Sequence, residues 1–205
     1  MEEPRNAEGL TEAEFLDAYD VTKFERPSVT VDIILLDGAR VLLIRRGNHP
    51  DIGKLAFPGG FVVPDEDCRT AALRELYEET SLSARDMVEL PVASAPGRDP
   101  RTRIITVPFA AKPAGDPALA AAGDDARDAE WFGFTASERD ERIKITLSGA
   151  TEKHCFYVKR IYDENGIFAD PTYLPEGENP LAGDHAALLA CALDRMNKIY
   201  PGGRE

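Results

Sequence analysis

Cysteine is scarce: Cys68, Cys155 and Cys191 are the only three in 205 residues, with no CxxC spacing. An odd, scattered set excludes a disulfide framework or a zinc knuckle and fits a chain kept reduced in the cytoplasm. Positive charge is also short. Twenty-four lysines and arginines face 37 acids, a formal net charge of −13. Such a surface repels phosphate backbones and anionic lipid, so neither nucleic acid nor a membrane is expected as a partner. A small phosphorylated ligand stays possible, because a bound divalent cation reverses the sign of a site locally. No apolar run approaches the roughly 20 residues of a membrane span, and the start, MEEPRNAEGLTEAEF, lacks the basic and apolar regions of a secretory signal. No long-period repeat is present, which sets aside solenoids and propellers. What is there is globular material: 43% hydrophobic and 30% charged residues exclude wholesale disorder. The expectation is an acidic extension over 1–26, followed by one domain over 27–205.

Thr11, with Glu14 three residues on, predicts an N-capped short helix running to about Ala18. SVTVDIILLD (28–37) and RVLLIRR (40–46) read as strands around the turn Gly38-Ala39. KLAFPGGFVV (54–63) leads into a helix over 67–80. MVELPVASA (87–95) and RIITVPFAAK (103–112) are further strand candidates, and residues 112–128 have loop composition. AEWFGF (129–134) reads as a short strand, with a polar helical turn expected over Thr135 to Glu141. IKITL, HCFYVKRIY and IFADPTYL predict an added antiparallel unit at about 143–174, with Asn165-Gly166 as a hairpin turn. An amphipathic helix at about 184–199 follows the loop bracketed by Pro175 and Pro180. Adjacent strands outnumber helices, so the class is α/β in the α+β sense: a mixed sheet with helices on its faces.

The chemistry concentrates in GGFVVPDEDCRTAALRELYEETSL (59–82). On a helix, Glu75, Glu78 and Glu79 share a sector about 100° wide. Leu73, Leu76, Tyr77 and Thr80 are expected on the opposite, core-facing side, with small Cys68, Ala71 and Ala72 flanking the acids. Three crowded carboxylates repel one another and want a cation; hard divalent ions take oxygen ligands. Arg74, four before Glu78, is placed to hold that side chain. By helix geometry alone, a solvated acidic face explains the run equally well.

The full string favours the cation. Gly60, five residues, Glu66, seven residues, then Arg74-Glu75-Leu76-x-Glu78-Glu79-x-x-Leu82 resembles the Nudix box of nucleoside-diphosphate-X hydrolases, matching at eight of nine fixed positions. The departure is Ser81, where the family has Gly. That position ends the helix, where a left-handed residue is favoured, so Ser costs up to ~1 kcal/mol without touching a ligand. The resemblance implies an α/β/α sandwich around a mixed sheet. It implies that Glu75, Glu78 and Glu79 ligate Mg²⁺ or Mn²⁺, with the Gly60 carbonyl as a further ligand. Arg74 would orient the helix carboxylates, and Glu66 would bind through a water or brace the loop. The implied reaction is attack of water on a pyrophosphate phosphorus, its general base being a box glutamate or an acid from a later loop.

Flanking segments resemble the ADP-ribose pyrophosphatase group and the related Nudix sensor domains of regulators of NAD metabolism. They are 19–32, 42–62, GRDPRTRIITV (97–107), AEWF (129–132) and LAGDHAALLACAL (181–193). Arg46, Arg98, Arg101 and Arg103 are basic positions whose guanidinium forks suit phosphate, or else surface ion pairs. Phe57, beside the Pro58-Gly59-Gly60 turn, either stacks on a base or ribose or belongs to the core. His185 reads as a structural cap with Asp184 nearby, a lid or proton-transfer role being the alternative, and Trp131 as core. Unit 143–174 either covers the cleft or pairs with a second subunit, giving a homodimer. The expected activity is cleavage of ADP-ribose to AMP and ribose 5-phosphate, with NADH, nucleotide sugars and (d)NTPs as other substrates. The rival is a non-catalytic ADP-ribose sensor; the short stretch after Leu193 and the negative charge speak against a DNA reader.

Overall fold

The computed structural model describes residues 3–119, 126–162 and 170–199. In chain order the elements are α1 (Glu12–Asp17), β1 (Ser28–Asp37), β2 (Arg40–Arg46), β3 (Leu55–Ala56), β4 (Gly59–Phe61), α2 (Cys68–Thr80), β5 (Ala84–Glu89), β6 (Ile104–Pro113), β7 (Ala126–Arg139), β8 (Arg142–Ser148), β9 (Lys153–Ile161), β10 (Thr172–Glu176) and α3 (His185–Ile199). The strands run β10-β9-β8-β7-β2-β1-β6-β5, with β3 added on β2 and β4 on β1. Among the described strand pairings only β1–β6 is parallel, so the sheet is mixed.

The period-2 pattern of β1 explains the layering. Val31, Ile33 and Leu35 pack with Ala71, Ala72 and Leu76 of α2. Ile34 and Leu36 fall in a second core with Leu188, Leu189, Ala192 and Leu193 of α3. One strand that is apolar on both faces thus carries a helix on each side, the α/β/α sandwich expected.

The feature that makes room for a site is a fork. β1 and β2 pair only beside their turn, at Leu36–Val41 and Asp37–Arg40. They then diverge, β1 taking Gly59–Phe61 opposite Asp32–Thr30 and β2 taking Ala56 and Leu55 opposite Ile44 and Arg45. Pro58 and the two glycines sit in the crotch.

Helix termini follow their residues. Thr11 and Glu14 form a reciprocal capping box at α1, which ends at Ala18. Asp67 caps α2 by accepting from the Thr70 amide at 2.8 Å. Ser81 closes α2 in the left-handed conformation (φ 59°), as its place in the box predicts.

Three expectations are corrected. Thr135 to Glu141 is no helical turn: β7 continues through Arg139, pairing with β8 down to Arg142, and Asp140-Glu141 form a tight turn with φ of 51° and 62°. The core-facing stripe of α2 is Ala71, Ala72, Leu76 and Thr80, because a helix lying close on a sheet needs small side chains at the contact. Tyr77 is 62% exposed instead, and Leu73 is half-buried. Trp131 is half-buried rather than core, its indole N–H donating to the Pro117 carbonyl at 2.8 Å. The Asn165-Gly166 hairpin turn lies outside the described residues. β8, β9 and β10 form the added antiparallel unit, and α3 spans nearly the expected range.

Candidate active site

A cavity of about 450 Å³ opens at the fork. Its walls come from the start of β1, the end of β2, the Gly59-Gly60 turn, the loop 98–101 and the N-terminus of α3. Five carboxylates (Asp32, Asp51, Glu75, Glu79, Asp99) and four guanidiniums (Arg46, Arg74, Arg98, Arg101) line it.

The turn and α2 interlock by close approach. A Cβ on Gly60 would overlap the Glu75 carboxylate, standing 2.6 Å from Oε2. A Cβ on Gly59 would stand 2.9 Å from the Asp32 Cα and collide with the Val31 carbonyl. Glycine is required here for space. The Gly59 amide donates to Glu79 Oε2 at 2.9 Å, so both glycines address box glutamates.

Arg74 ties this unit together. Its Nη1 donates to Glu75 (2.8 Å) and Glu78 (3.0 Å), while Nε and Nη2 donate to Glu66 (3.1 and 2.6 Å). Nη2 also reaches the Phe61 carbonyl at 3.0 Å. Glu66 accepts from the Val63 amide at 3.0 Å, so it braces the loop. The Arg74 hydrogen bonds hold the Glu66 carboxyl below its ordinary range. Burial pushes the Glu75 carboxyl up, against the pull of Arg74. Glu75 therefore sits where added positive charge would stabilise its ionised form. Glu78 is half-exposed and does not line the cavity. Among the described residues no three acidic, histidine or cysteine side chains already converge on one point; the cation shared by Glu75 and Glu78 is the guanidinium.

The other predicted positions separate. Arg98 is buried in a bidentate pair with Asp184 (2.8 and 2.7 Å), which joins loop 98–101 to the start of α3. Burial works against its charge, but Asp184, with Asp32 and Asp99, outweighs it and raises the Arg98 pKa. Arg101 is likewise held by Asp99 (3.0 and 2.8 Å). Arg46 lines the cavity with Nε on the Pro50 carbonyl (2.8 Å) and makes no ion pair among the described residues. Arg103 contacts the Ala95 carbonyl at 3.3 Å and lies outside the cavity lining. Phe57 is corrected to a core residue. It is 2% exposed, and its ring lies 5.1 Å from the parallel His185 imidazole, so no face is left for a base.

Sequence reasoning missed Asp32, although a lone acid inside the apolar run SVTVDIILL is a signal in itself. It accepts from the Thr106 hydroxyl at 2.6 Å and faces His185 Nε2 at 3.5 Å. The Phe57 amide donates to His185 Nδ1 at 3.0 Å; an amide can only donate, so the ring proton is on Nε2, towards Asp32. Asp51 was missed too. It accepts from the Gly183 amide at 2.9 Å and pairs with Lys54, tying its loop to the residues just before α3.

The sheet fork, the glycine turn and the acidic helix together define a family. The chain belongs to the NUDIX domain family, whose model matches residues 26–148. Over 106 residues it is 42% identical to the ADP-ribose pyrophosphatase of Methanocaldococcus jannaschii; the aligned part is 52% of this chain and 62% of that protein's length. In structure it resembles a MutT/nudix family protein from Enterococcus faecalis, with TM-score 0.71 and 30% identity over 92% of this chain and 70% of that one. It also resembles the NUDIX domain of Shewanella oneidensis NrtR solved with ADP ribose, with TM-score 0.62 and 25% identity over 91% and 99% of the two chains. No described helix is long and apolar enough to cross a membrane.

Proposed function

We propose that this chain is a divalent-cation-dependent hydrolase that cleaves the diphosphate of ADP-ribose to AMP and ribose 5-phosphate in the reduced cytoplasm. The observation that carries the reading is the convergence of Glu75, Glu79, the Gly59-Gly60 turn and Arg46 on one cavity. The donor set is all oxygen, and the half-buried Glu75 has its carboxyl pushed up by burial, so the residues fit Mg²⁺ or Mn²⁺. Glu75, Glu79 and the Gly60 carbonyl would hold it, with Glu78 joining by release from Arg74. When bound, such an ion neutralises phosphate oxygens and lowers the pKa of water. The chain's own part is positioning. Arg74 fixes Glu75 relative to the turn, and the Gly59 amide fixes Glu79. Arg46 supplies a guanidinium fork for a phosphate.

The likenesses to the archaeal pyrophosphatase and to a NUDIX domain solved with ADP ribose support this substrate. NrtR also motivates a second reading, binding without turnover. One assay separates them: purified protein with ADP-ribose and Mg²⁺ or Mn²⁺, read by AMP and ribose 5-phosphate release. Turnover that falls at least about a hundredfold in Glu79→Gln, with folding preserved, supports the enzyme. Tight ADP-ribose binding with no product supports the sensor, and intact ADP-ribose with no binding overturns both.

A further inference from the structure

The cavity wall carries two chemically distinct groups of side chains. In one, Glu75, Glu79 and Arg46 carry the charge that suits a cation and a diphosphate. The other centres on Phe61, which ends β4 and is 46% exposed. Phe61 and Val63 are the only large apolar residues of the described cavity wall that are exposed rather than packed into the core. The Arg101 guanidinium lies 5.7 Å over the Phe61 ring, and Asp99 holds it there through both oxygens. That pairing cancels the arginine's charge, so this part of the wall is aromatic and close to neutral. It suits a flat uncharged ring more than a phosphate.

We propose that Phe61 and Arg101 form the base subsite, where the heterocycle of a nucleoside diphosphate stacks. The proposal rests on the nucleotide reading above and adds what recognises the nucleoside. Its register with the carboxylates is set by Arg74, which grips the Phe61 carbonyl with the same guanidinium that holds Glu75 and Glu78. A base on Phe61 and a diphosphate beside Glu75 are therefore registered through one side chain. Stacking platforms tolerate any base, so selectivity for adenine over other bases is expected to be modest.

Calorimetric binding of ADP and of inorganic pyrophosphate, which lacks a base, tests this whether or not turnover occurs. Phe61→Ala is expected to weaken ADP about tenfold or more and leave pyrophosphate within twofold. Phe61→Trp restores ADP binding. Phe61→Leu, which keeps apolar volume but has no ring, behaves like Phe61→Ala and covers the case in which alanine impairs folding. Equal loss of both ligands, or unchanged ADP binding, overturns the subsite. Wild-type protein that binds ADP no more tightly than pyrophosphate also overturns it. Hydrolysis of ADP-ribose with no effect at Phe61 leaves the enzyme reading standing and removes only this proposal.

Discussion

Two arginines organise two regions of this molecule in contrasting ways. Arg74 gathers Glu66, Glu75, Glu78 and the Phe61 carbonyl, all within the short span from the glycine turn through α2. Arg160, in β9, instead joins distant elements. It pairs with Glu138 of β7 and with Asp194 of α3 at 2.8 Å, and Asp194 also accepts from the Tyr173 hydroxyl of β10 at 2.6 Å. The first network holds Glu75 and the Phe61 carbonyl beside the cavity; the second fastens an added sheet to a helix. Ion pairs of similar geometry thus stand at the candidate site in one place and serve docking in the other. What separates them is that the first includes a carboxylate of the cavity wall, Glu75.

The sharpest break in that comparison is Gly60→Ala. The new methyl meets the Glu75 carboxylate, and displacement by about 1 Å typically costs on the order of a hundredfold in rate. Kinetics with ADP-ribose should show this loss, alongside destabilisation of about 1–3 kcal/mol from overpacking. Arg74→Lys exchanges a fork for a point charge and cannot serve three carboxylates and a carbonyl together. A fall in kcat/KM of about tenfold to a hundredfold is expected. In the other region Arg160→Met should cost about 2 kcal/mol, because it removes the charge-assisted hydrogen bond to a mostly buried Asp194. Thermal denaturation should fall by about 4–8 °C with kinetic constants unchanged. A comparable loss of activity would show that the two networks are not separable. Ser81→Gly makes the smallest change, relieving the left-handed residue. It should gain up to ~1 kcal/mol, a rise of about 2–4 °C, without altering turnover.

The same contrast governs what the sequence made legible. The box could be read because its acids lie three and four apart on one helix, so spacing alone places them on one side. Thr11 was legible as a cap for a similarly local reason. Residues 135–141 misled because Ala, Ser, Glu and Arg carry no alternation of burial; every residue from Thr135 to Arg139 is exposed. Pairing to β8 makes that stretch a strand, and its turn uses Asp-Glu where Asn-Gly is the usual signal. Phe57 and Phe61 flank the same turn, four residues apart, and no local rule says which ring the core claims. That depends on α3, where His185 takes Phe57. Arg98 carries its neutralising partner for the same kind of reason: Asp184 arrives from 86 residues away.

The forked junction carries an implication for how deep a mouth this scaffold holds. The two central strands are zipped at only two positions, and the mouth begins where the zipper stops. Each further residue pair closed there would advance the seam by about 3.3 Å towards the glycines. The depth of the mouth is therefore tied to the length of one hairpin, a dimension distinct from the acidic side chains of α2.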